Sequence, residues 1–416
     1  MRVCVHRGTH EIGGNCIEVE ASGYRMVLDV GRPLDVDSDT VVELPPVAGL
    51  ATGDDPSLLG VLVSHLHMDH WGLLPQVPPS VPVYIGEDAA RILREAAFFS
   101  PFGIDIQPRG FLRDRQPLVL GPFKVTPYLM DHSAYDAYAL LVEAEGKRLF
   151  YSGDLRAHGR KGALVERLMA APPPGIDVLL MEGTQVREGA DESGAVPTET
   201  EVERNLIETF RTTEGMALIS FSSQNIDRLV TIYRACLQAD RELVVDLYTA
   251  TIAQATGRSS IPQPGFDRLK VFVPYYQKLR VKRAEDFERV NAIKPWRVFP
   301  EELALMRART VMLFRSSMIG DLERADCLEG ARLIWSLWHG YLSEPSSNPV
   351  HAFLERHGIP LIEHHSSGHA SVADLRRFVD ALVPGRVVPI HTQAPEKFAT
   401  LFAHVDPQQN GAWWEV

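Results

Sequence analysis

The sequence predicts a mixed α/β protein built in more than one compact unit, and three observations carry that reading. Over the first 188 residues, short apolar runs alternate with turns marked by Gly and Pro, as strands do. After the polar break REGADESGAVPTETE the rhythm changes to helix, strand, helix, which reads as a parallel α/β unit. Finally, SHLHMDHWG, Ser64 to Gly72, crowds three histidines and an aspartate together directly after the apolar run LLGVLV.

Taken in order, the strands of the first region are NCIEVEA, YRMVLDVG, LGVLVS, VPVYIG, FKVTPYLM, AYALLVEA, GKRLFYSGD and IDVLLMEG. EDAARILREAAFF, from Glu87, has the apolar spacing of a helix packed on sheet. The second region offers EVERNLIETFRTT, GMALISF, NIDRLVTIYRACLQAD and ELVVDLY. YYQKLRVKRAEDFERVNAIKPWRV follows no single period, and SEPSSNP reads as a boundary. Beyond it VHAFLERHG, PLIEHH, VADLRRFVDAL and RVVPIHT return to helix and strand. The expected organisation is therefore 1–188, an insertion at 189–345, and 346–416 completing the first unit.

The chain has 416 residues, 45% of them hydrophobic, enough for two or three cores. No window approaches a membrane span, and the start MRVCVHRGTHEIGGN lacks the apolar centre of a secretory signal, so a cytoplasmic location is expected. Cys4, Cys16, Cys236 and Cys327 are scattered and never form a Cys-x-x-Cys pair, which argues against a disulfide framework or a thiolate zinc site. A net charge of −12 argues against indiscriminate coating of nucleic acid while leaving room for a local basic channel.

His65 and His67, then Asp69 and His70, suit a loop at a strand end that holds two metals side by side. Imidazole and carboxylate are the donors that zinc, manganese or iron take in sites open to water. The alternative is a solvated, histidine-rich loop. Four donors cannot saturate two metals, so His132, Asp154 and His391, each at a strand-to-loop junction, are the candidates for the rest. Asp154 can bridge, and His391 can complete the second metal. Singly, His132 also reads as a capping residue, Asp154 as a turn former after Gly153, and His391 as a surface residue.

HLHMDH, then His132, then SGD, resembles the metallo-β-lactamase superfamily, and LDVG with Asp29 is similar to its first motif, whose acid supports the metal-bearing loop. EIGGN, MEGT, FSSQNIDRL, HSSGHAS and PIHT further resemble the β-CASP nucleases, most closely those of the ribonuclease J type. The resemblance implies an αββα sandwich with an inserted parallel α/β β-CASP domain. It also makes Glu182 the family's acidic motif A, His369 motif B and His391 motif C. A histidine at motif C is similar to the RNA-processing members. Zinc is the expected pair of ions, with manganese second, and single-stranded RNA the expected substrate.

Phosphodiester hydrolysis needs a nucleophile, charge neutralisation and a proton for the leaving oxygen. Two metals about 3.5 to 4 Å apart, sharing a hydroxide, supply the first two. His369, as an imidazolium paired with Glu182, supplies the third; Asp69 joins these two in the catalytic set. His365, Ser366, Ser367 and Gly368 can cradle a phosphate, as can Ser222 and Ser223 before NIDRL, where a helix-capping role for Ser223 is the alternative. Lys278, Arg280, Lys282 and Arg283 follow Tyr275 and Tyr276, a mixture that suits either single-strand binding or a solvated helix face.

The match departs at Thr392 and Gln393, where the family has HGE after motif C, and at FRSSMIGDLE, which replaces a glycine-rich segment. Ribonuclease J itself continues into a further assembly domain, so a homo-oligomer remains open. Two other functions compete: hydrolysis of a small ester, lactone, thioester or nucleotide on the same metal site, and a non-catalytic RNA-binding subunit.

Overall fold

The computed structural model describes residues 1–37, 40–187 and 196–416. They form two compact units: Met1–Arg94 with Phe102–Val196 and Gly368–Val416, and Glu95–Pro101 with Pro197–Ser367. The boundary expected between 188 and 189 lies outside the described residues.

The first unit is the αββα sandwich. One sheet takes its strands in the order Trp413–Glu415, Arg2–Arg7, Cys16–Ala21, Tyr24–Leu28, Leu58–Leu62, Val83–Gly86 and Gly110–Leu112. The other runs Arg386–Ile390, Val178–Glu182, Lys147–Tyr151, Tyr138–Ala144, Phe123–Leu129 and Leu118–Leu120. Two hairpins are set by two-residue turns, Ser22-Gly23 and Glu145-Gly146, with positive φ at both positions of each. Glycine at the second position is the economical choice for that turn, whose twist matches the flanking strands.

Strand Tyr138–Ala144 shows how the layers form. Leu140 and Val142 join Val3, Ile17, Leu28, Leu62, Leu180 and Val388 in a core drawn from both sheets. Leu141, one residue out of phase, turns to the other face, where Phe150, Leu179 and Met181 meet Val165, Leu168, Leu375 and Phe378 of helices Gly162–Ala170 and Val372–Leu382. The period of two thus buries both faces of this sheet.

The second unit is a seven-stranded parallel sheet ordered Arg297–Val298, Leu269–Phe272, Glu242–Asp246, Thr310–Leu313, Ala217–Ser220, Arg332–Trp335 and Leu361–Glu363. Its helix Glu199–Thr212 starts at a capping box, Thr198 with Glu201, which satisfies two otherwise orphaned amides. The strand order changes direction between Thr310–Leu313 and Ala217–Ser220, so this sheet is doubly wound.

The return to the first unit, expected at 346, falls instead at Gly368. Leu361–Glu363 pairs in parallel with Arg332–Trp335, and helix Asn348–His357 buries Val350, Phe353 and Leu354 in the second unit's core. The irregular stretch after Tyr275 resolves into helices Tyr275–Ala284 and Glu288–Asn291, a 3-10 turn and a two-residue strand. Among the described residues no helix is long and apolar enough to cross a membrane. All four cysteines are buried and unpaired with one another.

Candidate metal centre

Every ligand candidate lies in the first unit, just past the end of a strand, in the following loop or, for Asp69 and His70, in the short helix Met68–Trp71. Leu58–Leu62 delivers Ser64 to His70, Phe123–Leu129 delivers His132, Lys147–Tyr151 delivers Asp154, Val178–Glu182 ends on Glu182, and Arg386–Ile390 delivers His391. The structure brings these distant positions into three adjoining groups: His65 with His67 and His132; Asp69 with His70, Asp154 and His391; and Glu182 with His369 and His391.

The backbone bends sharply to do this. Asp29 and His391 adopt φ of +59° and +50°, in the left-handed region that side chains avoid. Such positions cost about 1 to 3 kcal/mol each and persist where surrounding contacts hold them. Asp29 is held by four donors: the Ser64 amide at 2.6 Å, the Ser64 hydroxyl at 2.7 Å, His70 Nδ1 at 2.7 Å and the Tyr151 hydroxyl at 2.5 Å. The His391 amide donates to the carbonyl of Gly8 at 2.6 Å.

The outer contacts decide which nitrogen each ring turns inward. With its Nδ1 proton on Asp29, His70 points Nε2 at Asp154 Oδ2, 3.2 Å away. Nδ1 of His65 lies 3.0 Å from the Ser64 hydroxyl, which leaves Nε2 facing Asp154 Oδ2 at 3.7 Å. His132 Nδ1 donates to the carbonyl of Gly368 at 2.6 Å, so its Nε2 lone pair faces His67 Nδ1 at 3.1 Å. A side chain at 368 would stand 2.5 Å from the Ser133 hydroxyl, so the close approach that orients His132 needs glycine there. His391 Nε2 reaches Asp69 Oδ2 at 3.1 Å and Asp154 Oδ2 at 3.6 Å.

The donor set fits divalent cations. His65 Nε2 and Asp154 Oδ1 are buried and have no hydrogen-bond partner among the described residues, although buried polar atoms are nearly always paired. His132 and His67 set two ring nitrogens face to face, an arrangement that needs a cation or a proton between them.

Electrostatics agrees. Burial, reinforced by neighbouring histidines, holds His65 and His132 well below the ordinary imidazole range; burial also takes His67 down to about 4 against the pull of Asp69 and Asp154. These rings are neutral and free to ligate. His70 behaves oppositely: burial lowers it, but Asp154, Asp29 and Asp69 outweigh burial and raise it well above its usual value. Burial would raise Asp69, yet His70 and His391 bring it to about 2, and Asp154 is likewise depressed well below the carboxylate range. In His369, burial works downward, and Glu182 followed by Asp154 lifts the ring to about 9.

The Glu182–His369 pair sits against this cluster. His369 Nδ1 is 3.3 Å from Glu182 Oε1 and 3.8 Å from Asp154 Oδ2, with the ring 20% exposed. Glu182 accepts from the amides of Thr184, Leu155 and Ala370 at 3.1, 3.4 and 3.4 Å. Thr184, which sequence reasoning passed over, places its hydroxyl 3.1 Å from His369 Nδ1 and 2.8 Å from His391 Nδ1. Its only signal is its place after Glu182 in MEGT. Ser64 and Tyr151, the supports of Asp29, were passed over too.

The remaining expected residues divide between the units. Gly368 belongs to the first, where its carbonyl serves His132; Ser222, Ser223, His365, Ser366 and Ser367 belong to the second. Ser222 is exposed, whereas Ser223 is buried and its hydroxyl engages Thr249 at 2.5 Å and Arg315. The cap of the following helix is Asn225, whose side chain accepts from the Arg228 amide at 3.0 Å, and not Ser223. Ser366 is buried, and His365 Nδ1 lies 3.4 Å from the Ser336 carbonyl. Of the basic run, Lys282 and Arg283 are exposed, while Lys278 lies over the Phe272 ring and Arg280 donates to the Phe99 carbonyl at 3.3 Å.

Comparison with known proteins places this geometry. A family model described as a beta-lactamase superfamily domain matches residues 39–211. A curated Ribonuclease J of Sinorhizobium meliloti is 23% identical across 87% of this chain and 62% of its own length. That of Mycolicibacterium smegmatis is 23% identical across 94% of this chain and 68% of its length. An RNase J-like protein of Methanocaldococcus jannaschii is 39% identical over 70 residues, 17% of this chain and 14% of its own. The chain thus spans about two thirds or less of the length of these relatives. A crystal structure described as a protein of unknown function from Enterococcus faecalis V583 shares the fold, with a TM-score of 0.79, 19% identity and 99% of both chains covered.

Proposed function

Because residues 39–211 match the beta-lactamase superfamily domain and most of the chain is similar to ribonuclease J, we propose that it is a metal-dependent phosphodiester hydrolase that cleaves single-stranded RNA. The second unit is read as the β-CASP insertion of such an enzyme. The observation that carries the reading is the Glu182–His369 pair beside the donor cluster, because the departing sugar oxygen needs a proton and this pair sets a proton donor next to the groups that would hold the metals.

In this proposal His65, His67 and His132 hold one divalent cation, Asp69, His70 and His391 the other, and Asp154 lies between them. Such cations, zinc first and manganese second, supply charge for the phosphate oxygens and a nucleophile at neutral pH. Asp29 keeps His70 Nε2 turned inward, and the Gly368 carbonyl does the same for His132. His369, lifted to about 9 chiefly by Glu182 against burial, carries a proton at neutral pH and delivers it from Nε2, the nitrogen on the opposite side of the ring from Glu182. Glu182 faces the imidazolium and fixes the ring plane. Ser222, His365 and the Ser366–Ser367 segment are proposed as contacts to the RNA backbone.

The test is incubation of the purified protein with end-labelled 5′-phosphorylated RNA, single-stranded DNA and a panel of lactones, with and without chelator. Chelator-sensitive cleavage of RNA, suppressed by rising salt, is the expected result, since polyanion binding releases counterions. Turnover of lactones alone, indifferent to salt, contradicts it and supports the small-ester reading.

A further inference from the structure

Resting on the acid role proposed for His369, we infer that Thr184 is a positioning residue whose single hydroxyl accepts the Nδ1 proton of two histidines with opposite tasks, setting the tautomer of His391 and the ring orientation of the His369 imidazolium. Thr184 Oγ1 stands 2.8 Å from Nδ1 of His391 and 3.1 Å from Nδ1 of His369. The two rings lie 5.5 Å apart and 25° from parallel, so both present the same edge to one oxygen.

Each ring dictates where its proton sits. Nε2 of His391 faces Asp69 Oδ2 and Asp154 Oδ2, at 3.1 and 3.6 Å, and can offer a lone pair to a cation held among these oxygens only if the proton is on Nδ1. Thr184 is the one hydrogen-bond partner of that Nδ1 among the described residues. His369 Nδ1 meets three acceptors, Thr184 Oγ1, Glu182 Oε1 and Asp154 Oδ2, so it too carries a proton there. A hydroxyl oxygen has two lone pairs, enough to accept from both rings at once. The consequence is that both Nε2 atoms are turned away from Thr184, one as a ligand lone pair and the other as a proton donor.

The hydroxyl is itself held in place. The Thr184 amide donates to Glu182 Oε2 at 3.1 Å, the Gly183 amide to the His391 carbonyl at 3.3 Å, and the Val186 amide back to Gly183 at 2.9 Å. A turn tied to both Glu182 and His391 therefore presents the oxygen between the two rings. Valine matches threonine in shape and lacks the oxygen, whereas serine keeps the oxygen and lacks the methyl.

The experiment compares wild type, Thr184→Val, Thr184→Ser and His369→Ala as purified full chains. Three readouts are taken: zinc retained per chain after dialysis, turnover of a 5′-phosphorylated RNA oligonucleotide, and turnover of bis(p-nitrophenyl) phosphate, whose leaving group departs without a proton. Thr184→Val is expected to retain less zinc and to cleave RNA about tenfold more slowly or worse through kcat, about what loss of one net hydrogen bond produces. The activated ester should suffer less, and Thr184→Ser should recover most of both losses. Should valine prevent folding, Thr184→Ala against Thr184→Ser makes the same comparison. A valine variant equal to wild type in zinc and RNA turnover, or a serine variant as damaged as valine, overturns the inference. If His369→Ala is inactive on RNA while Thr184→Val is unimpaired, only the hydroxyl's role falls. If His369→Ala retains RNA turnover, the proposed acid falls, and this inference with it.

Discussion

Both units bury polar side chains, and they satisfy them in opposite ways. In the second unit the buried Asp246 accepts from the Thr249 amide at 2.8 Å, Gln277 at 2.7 Å and Arg315 at 2.8 Å. Glu199 there takes Arg228 through two bonds, at 3.2 and 2.9 Å, and Thr231 at 2.7 Å. In the first unit His65 Nε2 and Asp154 Oδ1, equally buried, have no such partner, and nitrogen faces nitrogen between His67 and His132. A satisfied polar cluster rigidifies a fold, whereas one left open at its centre is complete only with something bound.

That contrast is sharpened first by His67→Ala. If the open cluster holds cations, the variant should lose metal and phosphodiester turnover together, by about a thousandfold or more, since the cations supply several kcal/mol of transition-state stabilisation. Metal analysis beside a rate assay checks it, and full activity in a metal-depleted variant breaks the contrast. Glu199→Ala probes the other side. Removing one partner of a buried ion pair should destabilise the second unit by about 3 to 5 kcal/mol in denaturant unfolding. Metal bound per folded chain should not change.

Chelation should act on one unit only. A ligand at a thousand times its dissociation constant stabilises the folded state by about 4 kcal/mol, so stripping the metals should lower one calorimetric transition and leave the other in place. A pH titration of the metal-free protein gives the smallest effect. His369 stands near 9 when folded, above its ordinary 6.5, so the stability it contributes is complete below pH 6.5 and is lost as pH rises through about 9. In denaturant titrations His369→Ala should flatten the pH dependence across that window, and an unchanged slope removes the Glu182–His369 pairing as its source.

The same contrast explains what the sequence disclosed. His65, His67, Asp69 and His70 were legible because they are close neighbours in sequence after one strand, and His132, Asp154, Glu182 and His391 because each follows an apolar run that reads as a strand. Thr184 was hidden because its partners lie 185 and 207 positions away and a lone hydroxyl carries no pattern. Tyr151 reads as one more apolar strand residue, and only folding brings its hydroxyl to Asp29, 122 positions distant. Leu269–Phe272, Thr310–Leu313 and Arg332–Trp335 are four-residue parallel strands, too short to show a period of their own. The expected return at 346 missed because the pairing of Leu361–Glu363 with Arg332–Trp335 is not local.

The most direct test of the claim that these donors converge to bind two cations is equilibrium dialysis of the purified protein against zinc or manganese, with bound metal counted per chain. Two equivalents for the native protein, falling in Asp154→Asn, are the expected result. Less than half an equivalent at saturating metal, from a chain that remains folded, would contradict the account.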